Sequence, residues 1–100
     1  MTREDILTKA ISCVSGDRES DYGSPEQNFK TIALLWSVYL QRLGRGYLED
    51  KDVAAMLALL KIARIASGHA KSDNWVDLAG YAACGGEIES NAEEVQGSEN

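Results

Sequence analysis

Several kinds of residue are scarce in this 100-residue chain, and each scarcity removes a class of protein. Proline occurs once and glycine nine times, which excludes collagen-like and low-complexity architectures. The longest unbroken apolar run, from Val53 to Leu60, has eight residues, far short of the roughly 18–20 that a membrane helix needs. No long apolar stretch follows Met1, so neither a secretory signal nor a membrane is expected and the location is expected to be cytoplasmic, in a bacterial host cell. The two cysteines, Cys13 and Cys84, lack C-x-x-C spacing and a nearby histidine cluster; they read as buried thiols in a reducing compartment. The single histidine, His69, lies in a Ser-Gly-His-Ala-Lys linker, too little for a Ser/His/Asp or Cys/His set. Glycine-rich phosphate motifs of the Walker or dinucleotide type are missing as well.

Charge is present but unevenly placed. The formal net charge is -6, yet Glu87 to Asn100 contains five acids and no base, so the remaining body carries eleven acids against ten bases. No basic stripe runs along that nearly neutral body, so binding to duplex nucleic acid is not expected.

Apolar residues recur at helical spacing throughout, which predicts an all-α fold: a four-helix bundle with helices at about 3–15, 25–43, 50–67 and 73–90. In the first, Ile6, Leu7, Ala10, Ile11 and Val14 form the stripe and Gly16 ends it. The second opens on Ser24-Pro25-Glu26-Gln27, a capping residue followed by a proline where its missing N–H costs nothing. The third starts in Glu49-Asp50-Lys51-Asp52, acids at the positive end of the helix dipole, and is apolar around most of its circumference. The fourth carries Trp75, Val76, Leu78, Ala79, Ala82, Ala83 and Ile88. One domain is expected over residues 1–90, with a disordered acidic tail at 91–100. Small residues on the last two helices and a short chain argue for a homo-oligomer.

Two places could carry chemistry. Lys61 and Arg64 lie three apart on the most apolar helix, opposite a polar stripe of Asp73, Asp77 and Tyr81 at i, i+4 and i+8. Those cations either grip an external anion or pair with Asp77 and Asp73 to fix helix register. The loop Gly16 to Gly23 leads into a helix N-terminus, a natural anion site, where Arg18 suits a phosphate and Tyr22 a base. Glu49 with Asp52 and Asp73 with Asp77 are acid pairs at helical spacing, suited to Mg²⁺ or, for the first pair, to capping.

The words Gly16-Asp17-Arg18-Glu19, Tyr22-Gly23, Asn28-Phe29, Ile32-Ala33, Leu35-Trp36, Asp52-Val53, Lys61-Ile62-Ala63-Arg64 and Asp73 through Ala82 come in order. Over roughly residues 5 to 88 the chain resembles a family of small phage and prophage proteins. It is more distantly similar to the MazG-like all-α nucleoside triphosphate pyrophosphohydrolases, oligomeric bundles that hold Mg²⁺ with E-x-x-E and E-x-x-D pairs. The chain departs from that pattern: Asn74 stands where E-x-x-D has its leading acid, and Glu26 is followed by Phe29. Of the usual quartet Asp77 alone carries over, which argues against an enzyme.

The resemblance therefore implies a nucleotide-binding protein of phage type, a sponge sequestering a nucleotide signal of host immunity. Its ligand residues would be Arg18, Tyr22, Lys61, Arg64, Asp73, Asn74, Asp77 and Tyr81, with no catalytic residue and no cofactor. Two alternatives stand beside it. One is a Mg²⁺-dependent pyrophosphohydrolase using Glu49, Asp52 and Asp77, with acids recruited across a subunit boundary. The other is a structural or protein-interaction module whose polar stripe locks helices together.

Overall fold

The computed structural model describes residues 1–15, 25–68 and 71–99. They form four helices: α1 (Arg3–Ser15), α2 (Pro25–Leu43), α3 (Asp50–Ala66) and α4 (Ser72–Glu99). Among the described residues there is no strand, so the chain is all-α as its periodicity predicts. No helix among them is long and apolar enough to cross a membrane.

The helix ends follow local chemistry. At the start of α1, the Thr2 N–H donates to the Asp5 carboxylate at 2.9 Å and the Asp5 N–H donates to the Thr2 hydroxyl at 3.2 Å, a reciprocal cap that satisfies two otherwise free donors. Helix α2 stops at Gly44, which adopts φ +70° while its N–H reaches the Leu40 carbonyl at 3.3 Å. Gly68, at φ +86°, ends α3 in the same way. Both positions need a left-handed backbone that a Cβ would penalise. Helix α4 runs on to Glu99, where fraying was expected after Ser90. Ala92, Glu93, Glu94 and Gln96 are good helix formers, and no proline breaks the run.

Helix α3 is the central element, packed along its length on α4 and more lightly on α2. Its seam with α4 is antiparallel: Lys51 meets Glu89 at 2.7 Å, Lys61 meets Asp77 at 2.7 Å, and between them Ala54 faces Gly85. A Cβ built on Gly85 would lie 3.3 Å from that of Ala54, so glycine sets the closeness of the two helices. On the other flank Trp36 donates its indole N–H to the Met56 carbonyl at 2.7 Å, and Tyr39 its hydroxyl to Asp52.

Burial is inverted relative to an ordinary domain. Among the described residues the buried side chains are Ala63 and three polar ones: Asp52, Lys61 and Asn74. Every residue of α1 is exposed, its apolar stripe included. Cys13 and Cys84 are exposed too, contrary to the buried thiols expected; Cys13 sits on the uncovered α1. The radius of gyration is 17.3 Å, against about 13 Å for a compact chain of this length.

Candidate functional site

Two buried polar centres lie on α3, nine residues apart. The first is Asp52, at the third position of the helix. There it accepts the Glu49 backbone N–H at 2.8 Å, completing the capping box that starts α3. Being only 1% exposed, it needs more than one partner. It has them: the Tyr39 hydroxyl at 2.5 Å and the Arg45 guanidinium at 3.0 and 3.3 Å. Arg45 also faces Glu49 at 3.5 Å and lies over the Tyr47 ring, 5.2 Å from its centroid. The Tyr39 hydrogen bond, then the Glu49 N–H, then Arg45 hold the Asp52 carboxyl down at about 2 against the opposing effect of burial. The same hydrogen bond, with burial, pushes the Tyr39 phenol above its ordinary value, and Asp52 raises the Arg45 guanidinium likewise.

The second centre joins α3 to α4. The Lys61 ammonium, on a side chain only 10% exposed, donates to Asp77 at 2.7 Å. Asp77 itself is about half exposed, so one end of the pair is sealed and the other meets water. One turn earlier on α4, Asn74 is buried, and its amide nitrogen has no hydrogen-bond partner among the described residues. Arg64 is engaged as well.

Between α2 and α4, above α3, lies an open groove of about 440 Å³. Its floor is Ala54, Ala55 and Ala58, its walls carry Tyr39, Leu43, Tyr81, Ala82 and Gly86, and Lys51 with Glu89 closes one rim. That pair raises the Lys51 ammonium, chiefly through the hydrogen bond to Glu89. The small residues on facing helices leave space that larger side chains would have filled.

Of the residues expected to hold a ligand, Arg18 and Tyr22 lie outside the described residues. Lys61 and Asp77 come together, but as partners of each other, the register-fixing arrangement. Tyr81 reaches the groove and Asn74 is buried, whereas Asp73 is exposed at the start of α4. The Mg²⁺ set of Glu49, Asp52 and Asp77 does not fit a single ion within one chain. Asp52 has given its oxygens to Tyr39, Arg45 and Glu49, and Asp77 pairs with Lys61, nine residues or about 13.5 Å along α3. No group of three His, Cys, Asp or Glu suited to a metal converges among the described residues. Sequence reasoning missed Arg45 and Tyr39. The available signal was an acid at the third position of a very apolar helix, since a carboxylate so placed becomes buried once that helix is central.

Comparison with known proteins gives the chain relatives. Residues 5–89 match the family described as Domain of unknown function (DUF6378). The chain is 43% identical over 81 residues to the Gene 55 protein of Mycobacterium phage D29, covering 81% of this chain and 51% of that protein. It is 42% identical over 77 residues to the Gene 55 protein of Mycobacterium phage L5, covering 77% and 47%. It thus spans about half the length of these curated relatives. No solved structure matches it.

Proposed function

The chain belongs to the DUF6378 family of phage proteins, and from that premise we propose that it is a helical docking module, holding another polypeptide through apolar helix faces. The inverted burial carries this reading. Inside, polar side chains are matched to one another: Asp52 to Tyr39 and Arg45, Lys61 to Asp77. Outside, Leu7, Ile11, Phe29, Trp75 and Val76 are each more than half exposed. Exposed apolar groups scattered singly mean little, but stripes of them on successive helices mark surfaces that a partner covers. A chain that spans half of its relatives is also the size of a module within a longer protein.

Hydroxyl-radical footprinting tests it. Ile11, Phe29 and Trp75 should be protected in a lysate of the producing cells; full reactivity of all three, at the rate of the unfolded chain, refutes docking.

One observation favours a second reading, binding of a nucleotide, with a sponge role as its extension. The buried Asn74 amide is a donor without an acceptor, and such a group costs free energy until something accepts its proton. A base carbonyl or phosphate oxygen beside Lys61 and Asp77 would do so. Mass spectrometry of small molecules released from the native protein decides between the readings. A retained nucleotide, lost in Asn74→Ala, supports the second, and an empty protein supports docking.

A further inference from the structure

We infer that the polypeptide received by this surface is a second copy of the same chain, seated on the α2–α4 groove and the α1 stripe so that two open faces close on each other. The inference rests on the docking reading and names its partner.

Area is the first ground. The chain exposes 7442 Å², whereas a compact 10.9 kDa protein exposes about 5,600 Å², leaving an excess of roughly 1,900 Å². A standard partner covers only about 800 Å² on each side, less than half of that. Two copies hiding their excess against each other would remove roughly 3,700 Å², within the range of permanent homodimers.

Shape is the second. Helix α3 has neighbours on two flanks only, and the groove over Ala55 and Ala58 is where a bundle carries its next helix. Helix α1 does not fill it, since its own stripe of Ile6, Leu7, Ile11 and Val14 is uncovered. Each copy therefore holds both an empty seat and an unseated apolar helix. A two-fold arrangement satisfies both at once, because each copy presents the same patch to the other.

Charge is the third. The body up to Gly86 carries eleven acids and ten bases, so two copies meet without net repulsion. The rim charges Lys51 and Glu89 are already neutralised within the chain.

Sedimentation equilibrium and thermal melting of the full chain, from 0.1 to 100 µM, test this. The expected result is a mass of two copies, or a multiple of two, with a melting temperature that climbs with concentration. Ala82→Glu places a charge on the groove wall, where the single chain leaves it solvated. It should raise the dissociation constant by roughly a hundredfold or more, as an unpaired buried charge does. Gln41→Glu, at an exposed position away from the groove, should leave the mass unchanged. If Ala82→Glu is too unstable to measure, the concentration dependence of the wild-type melt still decides. A folded wild type that sediments as one copy at 100 µM, with a melting temperature independent of concentration, overturns the inference. Footprinting in the lysate then separates the two failures: protection there leaves docking to another protein standing, and its absence removes docking as well.

Discussion

Breaking the pair between α3 and α4 from its two ends should have unequal consequences. Asp77→Ala leaves the Lys61 ammonium in place on a side chain that is 10% exposed. Removing one partner of a fully buried pair costs about 3–5 kcal/mol. Because Asp77 is 47% exposed, water reaches that end of the pair and lowers the cost to roughly 2 kcal/mol. Lys61→Met, by contrast, removes the buried charge and keeps most of its volume. Asp77 is then left at a surface where it rehydrates, so the cost should stay below about 1 kcal/mol. The double variant should resemble Lys61→Met, giving a coupling of about 1–2 kcal/mol. Urea unfolding followed by circular dichroism, at one fixed protein concentration, measures all four corners of the cycle. Equal losses for the single variants, or a larger loss for Lys61→Met, would refute the view that Lys61 is a sealed cation stabilised by Asp77.

Three further outcomes follow from the geometry. Asp52 titrates at about 2 when folded and near 3.9 when unfolded, so its contribution is complete above about pH 4 and is lost as pH falls toward 2; Asp52→Asn should flatten that limb of an acid-unfolding curve. The raised Tyr39 phenol works in the opposite sense: its contribution is present below about pH 10 and disappears as pH rises through the folded value. Absorbance at 295 nm should therefore show a late-ionising tyrosine that Tyr39→Phe removes, and a normal titration of all tyrosines would contradict the hydrogen bond to Asp52. In α4, Gly80→Ala meets nothing within 4 Å and should stabilise by about 0.5–1 kcal/mol, whereas Gly85→Leu, against Ala54, should destabilise by about 1–3 kcal/mol; equal melting shifts would refute the close seam.

Much of the helical framework was legible because its signals are local. Pro25 at the first position of α2, the acids of Glu49 to Asp52 and the turns at Gly44 and Gly68 act within one or two turns of the residues they govern. The spacing of Lys61 and Asp77 even contained their pairing as one of two alternatives. The tail after Ser90 was misjudged because weak composition was read as fraying, while helix propensity carried α4 to Glu99.

By itself, then, the sequence determined the class, the helix starts and stops, and the choice of residues able to carry charge on α3 and α4. Tertiary structure alone decided which of these are sealed. Asp52 became a hub because Tyr39 and Arg45, thirteen and seven residues away, converge on it. It also decided that Lys61 is neutralised internally, that α1 stays unseated, and that the groove over Ala55 and Ala58 stays open. Helix propensity and capping are summed along the chain, whereas burial depends on crossing geometry and register between helices, which no local pattern encodes.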